Sequence, residues 1–445
     1  MIEYRNLRVA LLGAGSVGAQ VVSLLLKHGD ELAQRSGAGL ELVGVAVRDI
    51  DAPRSAEIPK HLLTTDAEGL IVGADIVIEL IGGLEPARSY ILQALNSGAD
   101  VITANKALLA THGPELFDAA EQVGAQLYYE AAVAAAIPII RPLRDSLAGD
   151  RIRRIMGIVN GTTNFILDRM DTAGESLETA LKTATELGYA EADPTADIEG
   201  YDAAQKAAIL ASLAFHTTVP IGKVYREGIT SVTLEQVDAA RKAGYVVKLL
   251  AIAERLVDKE TGTEGVSARV YPALVPRTHP LATVHAAKNA VFIEAEAAGD
   301  LMFYGAGAGG IETASAVLGD LVSAARRHVI GGPGLAESTD ANLPILPISS
   351  VTTRYQISLS VVDQPGVLAA VAMLFSTHGV SIETVEQTVA QPDPLTGEMA
   401  GMPGATLVIG THEASESDLS ATVLALGESS VVSSVTSVLR VEGSE

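Results

Sequence analysis

Residues 7–18 read LRVALLGAGSVG, a short apolar run that ends in three glycines at G-x-G-x-x-G spacing and leads into AQVVSLLLKHG, a helical pattern. The apolar run reads as a buried strand. Gly13 and Gly15 allow a tight turn and a close backbone approach to a ligand, and Gly18 allows close helix–strand packing. The first amides of the helix then point at an anion. In a strand–turn–helix setting this spacing marks a site for the pyrophosphate of a dinucleotide, formed by Gly13, Gly15, Ser16, Val17 and Gly18.

The pattern continues outward from that turn. LELVGVAV, DIVIEL, DVITAN and QLYYEA follow as candidate strands separated by helical stretches up to about Glu130. This order predicts an α/β unit with a Rossmann-type, doubly wound parallel sheet. The second strand ends at Val47-Arg48-Asp49, where an NAD-specific site would place a carboxylate on the ribose hydroxyls. Arg48 stands there instead, and a guanidinium suits a 2′-phosphate, so NADP is favoured while Asp49 keeps NAD open. A later strand ends in Thr103-Ala104-Asn105-Lys106, at the carboxyl edge where ligands of such sheets bind.

At 445 residues the chain is too long for one core, which predicts two or three domains. Beyond Ala131 longer strands and helical crossovers predict a second, α+β domain reaching to about residue 304, the first unit being completed by residues 305–330. A Gly-, Pro- and Ser-rich stretch, GGPGLAESTDANLPILPISS, reads as a linker over 331–352. The tail, 353–445, then runs strand, helix, strand, strand, helix, strand, the ferredoxin-like βαββαβ order. A net charge of −23 disfavours nucleic acid. The lack of cysteine removes disulfides, thiolate metal sites and thiol nucleophiles. No basic leader or long apolar stretch stands out, which predicts a soluble cytoplasmic protein with no membrane partner.

One helical stretch poses a question of its own. DIEGYDAAQKAAILASLAF, residues 197–215, is rich in alanine and apolar residues, yet it carries Lys206 in its middle. Only Asp202, one turn earlier, shares its face at i,i+4 spacing. A lone lysine there commonly lays its stem along the helix and reaches water.

Several stretches, in order, resemble homoserine dehydrogenase: GAGSVG, TANKALLA, YEAAVAAAIPII, NGTTNFIL, GYAEADPTADIEGYDAAQK and YGAGAGGIETASAV, over about residues 7–330, with a tail that resembles an ACT domain. The resemblance implies hydride transfer between NAD(P)H and aspartate 4-semialdehyde, giving homoserine in the route to threonine, methionine and isoleucine. It implies Lys206 as catalytic acid/base, with Lys106 near the nicotinamide and able to share that role. Gly188, Glu191 and Asp202 are implied to hold the substrate, and the glycine loop that begins at Gly305 to approach the nucleotide together with Thr103. It also implies a monovalent cation, Na or K, bound by Glu130 and the carbonyls of Val133, Ala135 and Ile137. Here the sequence departs from the family, because Ala134-Ala135-Ala136 stands where glycine is common, and a carbonyl geometry needing positive φ would be strained. A second departure is Glu312, where proline is usual. A homodimer or a tetramer of dimers, with the middle sheet as interface, is likewise implied. The turn Asp363-Gln364-Pro365-Gly366-Val367-Leu368 resembles the effector turn of ACT domains, with threonine as the economical ligand and isoleucine second.

Two rival readings are weighed against this one. Aspartate-semialdehyde dehydrogenase requires a cysteine nucleophile, which this chain lacks. A non-enzymatic amino-acid sensor with a vestigial dinucleotide fold would have no need of Lys106, Glu191, Asp202 and Lys206 together.

Overall fold

A computed structural model describes residues 6–259, 261–331, 337, 339–389 and 404–443. In the first unit, β1 (Asn6–Leu12), β2 (Gly39–Ala46), β3 (Leu63–Thr64), β4 (Ile76–Glu79), β5 (Asp100–Thr103) and β6 (Leu127–Tyr128) pair in parallel in the order β3-β2-β1-β4-β5-β6. Helices α1 (Ser16–Ser36), α2 (Ala67–Ile71), α3 (Ala87–Asn96) and α4 (Lys106–Val123) make the crossovers. Strand order reverses between β1 and β4, which opens a crevice at their carboxyl ends. Gly13 has φ +98°, and a Cβ there would lie 2.6 Å from the Leu80 carbonyl oxygen after β4. A Cβ on Gly18 would lie 2.1 Å from the Gly13 oxygen, so both glycines are demanded by packing.

The second unit comprises β7 (Ile152–Ile158), α5 (Gly161–Ala173), α6 (Leu177–Glu186), α7 (Thr195–Ile198), α8 (Tyr201–Phe215), β8 (Tyr225–Arg226), α9 (Leu234–Lys242), β9 (Tyr245–Val257), β10 (Glu264–Pro276), β11 (Lys288–Ala295) and β12 (Gly299–Ala306). Helix α10 (Gly310–Ile330) returns to the first unit, and its Val317 and Leu321 join Val9, Leu11, Val22 and Leu25 in one core.

In the C-terminal unit, β13 (Thr352–Val362), α11 (Val367–Thr377), β14 (Ile382–Val389), β15 (Gly404–Thr411), β16 (Ala414–Ser415), α12 (Glu416–Glu428) and β17 (Val432–Val441) follow the order read from the sequence. Three features differ from the sequence reading. The stretch 197–215 is not one helix: Gly200, at φ +78°, separates α7 from α8. The C-terminal sheet is not separate, because β17 pairs in parallel with β10 and gives a continuous order β12-β11-β7-β9-β10-β17-β13-β15-β14, with β8 on β10 and β16 on β13. The linker is no free tether, since Pro344 and Leu346 hydrogen-bond with Val266 and Ala341 bonds with His216. Residues 332–336 and 338 of that linker lie outside the described residues.

Candidate active site

Asn105 starts the site from the nucleotide side. Its side chain caps α4 by accepting from the Leu108 amide at 3.2 Å and donates to the Gly83 carbonyl at 2.7 Å, so Lys106, the first residue of the helix, is aimed from the carboxyl edge of the sheet. Its ammonium lies 2.9 Å from Asp202 Oδ1. Lys206 approaches the same carboxylate from the other side, 2.8 Å from Oδ2, and also donates to the Val159 carbonyl at 2.5 Å. Lys206 is 8% exposed and does not snorkel to water. Two of its three N–H donors are committed, which leaves one for a substrate oxygen.

Asn160 completes the frame. It caps α5, accepting from the Thr163 amide at 2.8 Å, and its amide donates to Asp202 Oδ2 at 3.0 Å and to Asp197 Oδ1 at 2.6 Å. Burial alone would raise the Asp202 carboxyl, but the Lys206 and Lys106 ammoniums outweigh it and hold the group well below the usual carboxylate range. Burial also works against the Lys106 charge, yet Asp202, with Asp197 and Glu191 beyond it, raises that ammonium above an ordinary lysine. Burial, reinforced by Asp202, pushes Asp197 upward. Glu191 is exposed on the loop that begins at Gly188 (φ +77°), and Thr162 ties that loop to α5 by donating to the Tyr189 carbonyl at 2.7 Å. Lys106, Lys206, Asp202 and Glu191 are thus brought together. Asn160, Asp197 and Thr162 complete the site but went unremarked in the sequence, although NGTTNFIL carries Asn160 in a helix-start pattern.

The nucleotide crevice fits a dinucleotide. Helix α1 begins at Gly15 with no side-chain cap and no acidic residue in its first turn, so its amides are open to an anion. The loop 305–310 ends against it, a Cβ on Gly310 falling 2.9 Å from the Ser16 carbonyl oxygen. Arg48 is exposed at the tip of β2 with no hydrogen-bond or ionic partner among the described residues. Thr103 ends β5 with its hydroxyl buried and donating to Glu79 Oε2 at 2.6 Å, which leaves its backbone for the carboxyl edge of the sheet.

The expected cation does not fit the Glu130 side chain. Oε1 accepts from the amides of Ile139 and Ile140 at 2.6 and 2.8 Å, and Oε2 accepts from the amide and Nε of Arg141 at 2.9 and 2.8 Å. The carboxylate's acceptor directions are therefore filled by protein donors. Val133, Ala135 and Ile137 lie in the buried turn that follows, where Ala134 and Ala135 have φ of +58° and +46°. The strain expected of alanine in place of glycine is real, at about 1–2 kcal/mol per residue.

Family models match most of the chain: homoserine dehydrogenase, NAD binding domain, over residues 13–130; homoserine dehydrogenase over 138–322; and an ACT domain over 355–427. Homoserine dehydrogenase of Corynebacterium glutamicum is 54% identical over 436 residues, covering 98% of this chain and 95% of its own. The crystal structure of a homoserine dehydrogenase from Thiobacillus denitrificans superposes with a TM-score of 0.88 at 38% identity, covering 98% of both chains. A hyperthermophilic archaeal homoserine dehydrogenase in complex with NADPH gives a TM-score of 0.60 at 26% identity, covering 74% of this chain and 99% of that one.

The Asp202 geometry predicts a pH signature. A carboxyl depressed in the folded state contributes stability above its unfolded value of about 3.9, and this is lost as pH falls below it toward the folded value. Denaturant titration of Asp202→Asn should show lower stability than the parent at pH 7, where two ammoniums lose their counter-charge, and a smaller further loss between pH 5 and pH 3. Parallel acid profiles for the two proteins would contradict the depressed carboxyl.

Proposed function

This chain belongs to the homoserine dehydrogenase family, and from that premise we propose roles for its residues. The enzyme is an oxidoreductase that interconverts aspartate 4-semialdehyde and homoserine with a nicotinamide dinucleotide, a reaction of amino-acid biosynthesis. The observation that carries the assignment is the buried carboxylate of Asp202, held between Lys106 at 2.9 Å and Lys206 at 2.8 Å beside the nucleotide crevice. The bound dinucleotide supplies or accepts the hydride.

In the reductive direction the substrate's aldehyde oxygen gathers negative charge, which the free N–H of Lys206 stabilises and then neutralises by giving up a proton. In the oxidative direction the Lys206 amine takes the hydroxyl proton. Lys106, held charged by Asp202, stays cationic and contributes electrostatic stabilisation at the nicotinamide end. Glu191 and Asp202 receive the substrate ammonium, with the Gly188 turn setting the reach of Glu191. Gly13, Gly15, Ser16, Val17, Gly18, the Gly305 loop and the Thr103 backbone hold the dinucleotide.

Lys206→Ala should lower kcat by about 10²–10⁴-fold with cofactor binding retained, followed as absorbance at 340 nm with homoserine and NADP. Retention of more than about a tenth of the parent kcat would remove Lys206 from the acid/base role.

Arg48 is the candidate 2′-phosphate partner and favours NADP over NAD. Loss of a charge-assisted contact of about 1.5–3 kcal/mol predicts that Arg48→Ala weakens NADP by roughly ten- to a hundredfold and leaves NAD nearly unchanged. Equal losses for both cofactors would reassign Arg48 to general nucleotide contact.

Feedback by threonine through the C-terminal unit is the remaining part of the reading. Gly366 (φ +92°) opens α11 without a side-chain cap, which suits an α-carboxylate on the first amides. Threonine should inhibit the intact enzyme and give a calorimetric binding isotherm. Neither effect with millimolar threonine or isoleucine would make this unit an assembly element. Homodimers or tetramers through the middle sheet, and a cytoplasmic location, accord with the family; among the described residues no helix is long and apolar enough to cross a membrane.

A further inference from the structure

The turn that presents Asp202 is braced by residues remote from the crevice. Gly200 separates α7, which holds Asp197, from α8, which holds Asp202 and Lys206, so the geometry of residues 198–201 sets how the two carboxylates meet Asn160. The segment 225–229 lies directly on that turn. The Ile229 amide donates to the Ile198 carbonyl at 2.7 Å, and a Cβ on Gly228 would fall 2.3 Å from the same oxygen. The Arg226 guanidinium donates to the Glu199 carbonyl and lies over the Tyr201 ring, 3.6 Å from its centroid. The segment is in turn fixed to the central sheet, Tyr225 and Arg226 pairing with Arg269 and Val270, and the Glu227 amide donating to the Val270 carbonyl at 2.8 Å.

Glu227 then reaches the C-terminal unit. Its carboxylate meets Arg440 Nη1 at 3.0 and 3.1 Å, while the rest of the Arg440 fork is held by Glu416 Oε1 at 2.6 and 3.2 Å. Arg440 lies over the Tyr271 ring at 4.5 Å, with the Tyr225 and Tyr355 rings at 5.6 and 5.7 Å. It stands on β17, whose pairing with β10 aligns Arg440 with Ala273. An ion pair and a cation–π contact thus connect a strand of the C-terminal unit to the first turn of the lysine-bearing helix, through a segment whose backbone is paired with β10.

We propose that Arg226 is a positioning residue for the Asp202 turn and that the Glu227–Arg440 ion pair makes the C-terminal unit its second support. The inference rests on the reading of Asp202 as the carboxylate that orients the site lysines and substrate. A displacement of β17 would be felt at Asp202 before it is felt at the nucleotide glycines, because Arg226 contacts residues 199 and 201 directly.

Glu227→Gln in the full chain is the mild test, since Glu227 is partly exposed and Arg440 keeps Glu416. Arg226→Met is the direct one, with Arg226→Lys as its conservative partner. Both the Gln and the Met variants should raise the homoserine KM by roughly threefold or more while the NADP KM moves by less than about twofold, the Met variant showing the larger effect and the Lys variant recovering part of it. Backbone amides of residues 199–203 should exchange hydrogen for deuterium faster in both. Unchanged exchange there, or a parallel rise in the two KM values, would overturn the brace. Faster exchange with an unchanged homoserine KM would uphold the brace and instead refute the role given to Asp202.

Discussion

A carboxylate withdrawn from water must meet opposite charge and hydrogen-bond donors, and at Asp202 this requirement brings three parts of the chain to one point. Lys106 comes from the start of α4 in the nucleotide unit, Lys206 from α8, one turn beyond Asp202 itself, and Asn160 from the cap of α5. Breaking a buried pair by removing one partner costs about 3–5 kcal/mol, so the Lys206 pair holds its geometry firmly. The Lys106 side chain is 39% exposed, so its pair is screened and weaker. That asymmetry suits the roles proposed for the two lysines: the buried one is fixed with one donor spare, and the half-exposed one stands at the carboxyl edge of the nucleotide sheet.

The same demand for compensation joins the units elsewhere. Asp100, buried at the start of β5, accepts from Arg327 Nη1 at 2.8 and 2.9 Å, which ties α10 back to the nucleotide sheet across more than two hundred residues of chain. Glu442, just past β17, is buried against Arg154 of β7 and Tyr271 of β10. The C-terminal unit is therefore attached through charge that would be costly to expose or to leave unpaired. Two sheets legible as separate become one continuous surface at β10–β17, and Arg440, on the same strand, carries that continuity toward the Asp202 turn.

Legibility in the sequence divides along the same line. The strand–glycine–helix turn, the alternation of strands and helices to Glu130, and the βαββαβ tail all depend on local periodicity and glycine chemistry, and all are found. The break at Gly200 was missed because an alanine-rich run on either side masks a single left-handed glycine. The linker's composition is that of a tether, yet Pro344 and Leu346 find partners on β10, which composition does not encode. The family resemblance implies a cation at the Glu130 carboxylate; in the fold the amides of 139–141 and the Arg141 side chain take that carboxylate, a set of partners no local pattern specifies.

By itself, then, the sequence determined the chemistry on offer: a pyrophosphate turn, a lysine on an apolar helix one turn from an aspartate, no thiol, and a tail built like an effector-binding module. These follow from spacing along the chain, because neighbours at i,i+4 or across a tight turn share a surface in any fold that keeps the element. Tertiary structure alone decided which distant groups complete each charge. Lys106 and Asp202, Asn160 and Asp197, and Glu227 and Arg440 are widely separated in the chain, and each pairing is set by helix entry angles and sheet register, which no local pattern specifies. The site's residues were present in the sequence as candidates; packing made one buried carboxylate their common centre.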